Sequence, residues 1–532
     1  MRKHRFIVFI LTIIMLFSFV CSCSGDNLDS ASLSSSEEKL IYPEGFNVLN
    51  PKTESVTETR EIGVEFDPHF FISDEAVRQR DKYFDNIDRN EFWTVIESRV
   101  KEMGVGRFRV MVCPPWFEPE NDNDDPLVAD RNAFTYDSAE MKGVKSILAL
   151  AKRCGVKVTL VLWGVNKRAS LVANGFSGQD YFMSQGNSAG NWVVGAKGEN
   201  IKEYAECFSE LINYLINEQG YDCIDEITPG NEPDWSWQVD EKIGDAESYI
   251  ETVKYLDERF KRDGIRDKVK FNLSDATDVN AKNWLDKVWE GIKPYADVIN
   301  SHTYIFSGQS TNTQMAEWAK SFASVAKEKG IPAYVGEFGS YSDGGNGQAM
   351  DSFYRALGLS RQMLNFYNGG VSGMSYWNLF DHYNSVSNFE AMDKNGLWYS
   401  YKRYYGGTDY EQLVPRDFAV RKQYYMYAAM CNSIKSGSSV YPIDLSNEFV
   451  AGTLFVDDEN KDCIVICNQT DKTLKYAYVV KNTKTVYEGR VFSEDTLPED
   501  DSIINVSQSI KPKNRCISFI VPANTLIIIK QK

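Results

Sequence analysis

Histidine is scarce in this chain: four in 532 residues, with His4 in the basic N-terminal run. No His-x-His pair follows the first predicted strand, and the other three histidines lie far apart, which argues against a hydrolase built on clustered metal ligands. The ten cysteines lack zinc-finger or C-x-x-C spacing. Apart from Cys21 and Cys23 they are scattered, several inside apolar runs, and read as small buried hydrophobes. No glycine-rich loop stands in the strand-to-helix setting that cradles phosphate or a dinucleotide, so no cofactor is implied. Positive charge is also short. With 58 Lys and Arg against 75 Asp and Glu, the net charge is −17, and no basic, aromatic-interleaved patch follows residue 23. Such a surface repels nucleic acid.

What is present is ample core, 43% apolar and 13% aromatic residues, in a chain long enough for a large barrel and one smaller domain. The N-terminus reads as an export signal: "RKHR", an apolar run from Phe6 to Val20 too short to read as a spanning helix, then "VCSCSG". This segment resembles the bacterial lipoprotein signal, in which residues 1–23 direct export and Cys23 carries the lipid. A plain cleaved signal is the alternative. Residues 24–58 follow as a Ser-rich, acidic tether and lead-in, which suits a spacer between an anchor and a folded body. The expected location is the bacterial cell envelope, on the outer membrane or cell surface.

Short β-branched runs then alternate with longer amphipathic stretches. Eight strands are predicted: "IGVEF" at 62, "RFRVMV" at 107, "KVTLVLW" at 157, "CIDEIT" at 223, "KVKFNL" at 268, "ADVIN" at 296, "IPAYVGEF" at 331 and "VSGMSYW" at 371. Between them lie helix candidates at 90–102, 140–154, 201–218, 246–262, 314–329 and 349–366. Eight βα units in order predict a (β/α)8 TIM barrel over residues 59–435. From 436 to 532 the grammar changes to strands separated by turns, the pattern of an all-β sandwich, to which the segment 41–58 is expected to add a strand.

Barrel enzymes place their chemistry at the C-terminal ends of the strands. His69, His302 and His382 follow predicted strands one, six and eight. Glu232 lies just past strand four and Glu337 ends strand seven. Two convergent carboxylates suit glycosidic cleavage, one attacking the anomeric carbon and the other protonating the departing oxygen; alternatively, Asn-Glu-Pro at 231–233 fits a helix start. Trp235 and Trp237 leave the strand-four end, Trp163 ends strand three, and Trp116 and Trp192 lie in neighbouring loops. Such rings either stack on pyranose faces or simply pack.

Five strand ends together resemble clan A of the retaining glycoside hydrolases, over residues 60 to about 435. The resemblance implies that Arg109 in "GRFRVMV" orients the nucleophile, that Asn231 contacts the sugar 2-hydroxyl and that Glu232 is the acid/base. It implies further that His302 and Tyr304 in "HTY" support the acid/base and the nucleophile, that Glu337 is the nucleophile, and that Trp377 in "SYWNLFD" is a platform below the sugar. The small sandwich resembles families 30 and 39 more than a bare family 5 barrel. The expected activity is that of a retaining β-glycoside hydrolase, endo-acting on a polysaccharide. An exo-acting glycosidase of the same clan and a non-catalytic glycan-binding lipoprotein are the alternatives. The sequence carries no sign of the sugar, the linkage or the oligomeric state.

Overall fold

The computed structural model describes residues 42–66, 68, 89–118, 123, 125–162, 199–234, 246–277, 281–340, 350–383, 392–408, 410–498, 501–502 and 507–532. All eight predicted barrel strands are present, as Gly63–Glu65, Arg107–Val112, Lys157–Leu162, Ile224–Thr228, Lys270–Ala276, Val298–Thr303, Ala333–Phe338 and Gly373–Tyr376. Each pairs in parallel with the next, and the last closes on the first. The strands read as near-continuous apolar runs because helices cover the outer face while side chains fill the inside.

The helices follow from ordinary end signals. Ser138 caps the helix Ala139–Cys154 by accepting from the Met141 amide, and Gly155 ends it in the left-handed conformation. Thr311 and Gln314 form a capping box at the start of Asn312–Lys329. The stretch predicted as one helix over 201–218 is α-helical over Glu199–Asn213 and continues as a π turn over Tyr214–Glu218. The structure adds helices at Ala281–Ile292 and Lys422–Ser433.

The C-terminal strands form a seven-stranded and a three-stranded sheet around a core of Ile464, Ile466, Ile517, Phe519, Ile527 and Ile529. The lead-in contributes one short strand to each sheet: Asn47–Val48 pairs with Leu474–Val479, and Thr57–Glu58 with Ser439–Ile443. The large sheet is covered on both faces. Along Asp462–Asn468, Ile464 and Ile466 enter the sandwich core while Cys463, Val465 and Cys467 join the barrel core. That is why "DCIVICN" shows no polar alternation. The joint is also polar: on the helix Phe353–Asn368, Arg361 donates to Gln469 at 2.8 Å and to the Glu448 carbonyl at 2.9 Å. The eight cysteines among the described residues are free thiols.

The barrel interior holds two polar tiers, as inward positions two residues apart require. In the lower tier Arg107 binds Asp225, at 2.7 and 3.1 Å, and Glu61. Glu226 in the same tier accepts from Arg60, Thr159 and Asn272. The upper tier, two residues further along the second strand, is the candidate site.

Candidate active site

Arg109 is the hub of the upper tier. It is 2% exposed and divides its guanidinium among four acceptors from four strand ends. Nη1 donates to Glu337 Oε1 at 2.6 Å and to Glu65 Oε2 at 2.9 Å. Nη2 donates to Asn231 Oδ1 at 2.7 Å and to Asp275 Oδ2 at 2.9 Å. Glu65 is directly paired with Arg109 in the barrel register. Its partners fix Arg109 in one rotamer, and Arg109 in turn fixes the Glu337 carboxylate, whose other oxygen accepts from Tyr304 Oη at 2.7 Å.

Glu232 reaches the same centre from the loop after the fourth strand. Its φ of 48° places it in the left-handed region, costly for a residue with a side chain. Two contacts hold the turn: the Glu232 amide donates to the Asp275 carbonyl at 3.1 Å, and Asp234 accepts from the Thr277 amide and hydroxyl. Asp275 itself sits in a bulge of the fifth strand between Ser274 and Ala276, where Ser274 and Asp275 have φ of 85° and 50°. Bulges re-aim side chains next to functional sites. Here the displaced Ser274 amide is met by Tyr249 Oη at 2.9 Å, and Asp275 is brought against Arg109, His302 and Asn300.

The two glutamates have different partners. His302, fully buried, has Nδ1 at 3.1 Å from Glu232 Oε1 and Nε2 at 2.8 Å from Asp275 Oδ1. Burial opposes its charge, but Asp275 and Glu337 outweigh burial and push its pKa well above the usual imidazole range. Both ring nitrogens therefore donate. Asp275 is held below the usual carboxylate range, since Arg109 and His302 more than offset its burial. Burial is the largest influence on Glu232 and lifts it to about 6, with the nearby Glu337 adding to the rise and the His302 hydrogen bond opposing it. Its side chain keeps 18% exposure, so it is both proton-holding and reachable.

One ligand atom each from Glu232, His302 and Glu337 lies within 4.8 Å of the others. That spacing also suits a divalent ion, but the donor set does not. The two nitrogens of His302, held charged by its neighbours, are already engaged by Glu232 and Asp275, and the Arg109 guanidinium already supplies positive charge at Glu337.

Trp377 directly follows the eighth strand, partly exposed, with its indole N–H donated to Asp393. Its peptide bond to Asn378 is cis. His382 is 2% exposed, its ring centre 6.5 Å from that of Trp377, and Nδ1 donates to the Phe380 carbonyl at 3.2 Å. His382 is therefore packed beside the tryptophan rather than presented at the surface. Of the two readings open for Trp116, packing holds: it is 1% exposed in the hydrophobic core, at the end of the 3-10 turn Pro114–Trp116. Cys23, His69, Trp163, Trp192, Trp235 and Trp237 lie outside the described residues. The residues that the sequence reading did not single out are Glu65, Asp275, Asp234 and Asp393.

No protein-family model and no curated protein matches the chain. Solved structures do. A family 30 subfamily 8 xylanase from Clostridium acetobutylicum is 17% identical with a TM-score of 0.59, covering 90% of this chain and 97% of its own. The catalytic domain of a family 30 xylanase from Talaromyces cellulolyticus is 14% identical at 0.62, with 91% and 99% covered. An α-L-arabinofuranosidase from Thermotoga maritima is 11% identical at 0.55, with 90% and 98% covered. The likeness spans barrel and sandwich together, and this chain shares the fold of these glycoside hydrolases, a (β/α)8 barrel with a β-sandwich.

Proposed function

We propose that the protein is a retaining β-glycoside hydrolase acting on a polysaccharide from within the chain. The observation that carries this reading is the approach of Glu232 and Glu337 to within 4.8 Å with unlike partners, a proton-holding acid on one side and a carboxylate clamped by Arg109 and Tyr304 on the other. A separation of about 5 Å leaves no room for a water between carboxylate and sugar, and so favours direct attack over inversion.

In the proposed sequence Glu337 attacks the anomeric carbon as Glu232 gives its proton to the departing glycosidic oxygen, forming a glycosyl-enzyme. Glu232, now a carboxylate, takes a proton from the water that attacks the same carbon, and Glu337 leaves. Asn231, held by Arg109, faces the 2-hydroxyl, and Trp377 lies beneath the ring. His302 stays charged through both steps and supports Glu232 as a carboxylate after its proton has gone.

Proton NMR of the first-formed products on a panel of β-linked polysaccharides and aryl β-glycosides tests the mechanism. The β anomer is expected first; the α anomer first would overturn it. Product sizing separates internal cleavage from release of chain ends. We also propose that Cys23 anchors the protein to the cell envelope, a reading that rests on the N-terminal sequence alone.

A further inference from the structure

Glu65 is a third carboxyl group in the heart of the site, and its surroundings differ from those of Glu337 and Asp275. It is fully buried. Oε2 accepts from Arg109 Nη1 at 2.9 Å, the same nitrogen that serves Glu337 at 2.6 Å, while Oε1 is enclosed and has no hydrogen-bond partner. A carboxylate with one dry, unpaired oxygen is among the costlier arrangements a core can hold, whereas a carboxylic acid places its proton there and carries no net charge. The charged groups facing Glu65 are Arg109 from the second strand, His302 from the sixth and Glu337 from the seventh. From the eighth strand, Ser375 and Tyr376 pair with Gly63 and Val64, the two residues before Glu65, and bring no charge.

We propose that Glu65 is a positioning residue that works as a neutral acid, sharing Arg109 with Glu337 so that the nucleophile keeps the stronger claim on the guanidinium. This deepens the reading of the site as a retaining glycosidase and rests on it. Among the groups in direct contact with Arg109 or His302, the charge count fits. With Glu65 and Glu232 protonated, the cations Arg109 and His302 balance Asp275 and Glu337. After attack, the bond from the anomeric carbon to the leaving oxygen is broken, the bond to Glu337 is formed, and the proton of Glu232 is on the leaving group. Arg109 and His302 then balance Asp275 and Glu232. Ionised Glu65 would add one uncompensated negative charge in both states and draw Arg109 away from Glu337. Burial, with a further push from Glu337, lifts Glu65 to about 7 against the opposing pull of Arg109, so the competition sets in near neutral pH.

The test compares wild type with Glu65→Gln and Glu65→Ala. Glutamine keeps the shape and the acceptor oxygen but cannot ionise; alanine leaves Arg109 Nη1 to Glu337 alone and opens a void. On a glycoside with a poor leaving group, where proton donation by Glu232 limits the first step, log kcat/KM of wild type should fall with a two-proton slope above pH 7, and that of Glu65→Gln with a one-proton slope. Glu65→Gln should also recover at least about tenfold of what Glu65→Ala loses at pH 5. An unchanged slope in Glu65→Gln, or glutamine no better than alanine, would overturn the role. Independently of any activity, infrared difference spectra across pH 6 to 8, recorded in a Glu232→Gln background so that the acid/base does not contribute, should show a protonated-carboxyl band that titrates and is absent when Glu65→Gln is added. The same band in the double variant would overturn the neutral acid, even where no glycoside turns over. A titrating band in a protein inactive on every glycoside would instead retire the glycosidase reading and, with it, the role of Glu65 beside a nucleophile.

Discussion

His302 Nδ1 stands 3.1 Å from Glu232 Oε1 while its Nε2 is engaged by Asp275 at 2.8 Å. The imidazolium is thus a fixed donor to the acid, and it tempers the rise that burial imposes on Glu232. The sign of the pH dependence follows. Glu232 must carry its proton in the first step, and in the free enzyme it loses that proton around pH 6, so kcat/KM should decline as pH rises through about 6. A pH profile on a substrate with a poor leaving group checks this. An activated aryl substrate, which needs less protonation, should show a shallower decline in kcat.

Asp275→Asn removes the carboxylate that keeps His302 charged. The imidazole then titrates lower, Glu232 loses its charged donor, and the alkaline limb should move upward in pH. A hydrogen bond to a charged group contributes about 1.5–3 kcal/mol, so kcat/KM should drop roughly 10- to 100-fold at pH 5. A downward shift of the limb would show that His302 does not act on Glu232 in this way.

Arg109 answers to Glu65, Glu337 and Asp275 at once. Arg109→Met strands these carboxyl groups without a counter-charge, and breaking a buried ion pair from one side typically costs about 3–5 kcal/mol. The loss in urea denaturation should be largest at neutral pH and smaller at pH 4, where protonation relieves the repulsion. Arg109→Lys should recover little, because one ammonium cannot serve four acceptors in the planar geometry of a guanidinium.

Much of this arrangement was legible in the sequence, and what was not has physical causes. The barrel strands stood out because a strand covered on both faces is a short β-branched run whatever its neighbours. Glu232 and Glu337 stood out because they sit at or near the ends of such runs, whereas Arg109, inside its strand, was picked out only by the family resemblance. Glu65 did not: a single charge inside "IGVEF" reads as a solvent-facing position, and only the closed polar interior makes it an inward one. Asp275 was missed because the predicted fifth strand stopped at Leu273, whereas a bulge carries the chain on to Ala276 and turns the aspartate inward. The helix Lys422–Ser433 has no polar stripe to betray its period, being buried on most of its circumference.

Cys23→Ala addresses the proposed anchor. The variant should leave the membrane fraction and appear in the soluble fraction, with its catalytic constants in detergent equal to those of wild type. Unchanged membrane association would refute lipidation at this residue and favour another mode of attachment.

The two glutamates can be separated by their rescue chemistry. Glu232→Ala removes proton donation, so it should slow natural glycosides most and activated aryl glycosides least, and the glycosyl-enzyme should accumulate because its hydrolysis now lacks a base. Azide needs no base and fits the space vacated by the side chain, so it should restore turnover and give a β-glycosyl azide. In Glu337→Ala no glycosyl-enzyme forms. Azide entering the gap between Arg109 and Tyr304 attacks the substrate directly, with a single inversion, and should give the α-glycosyl azide. Opposite anomers from the two variants follow directly from which face of the sugar each side chain occupies. Should the anomers be exchanged, or should Glu232→Ala keep near-full activity on the natural substrate, the roles assigned to the pair are wrong even if the protein cleaves glycosides.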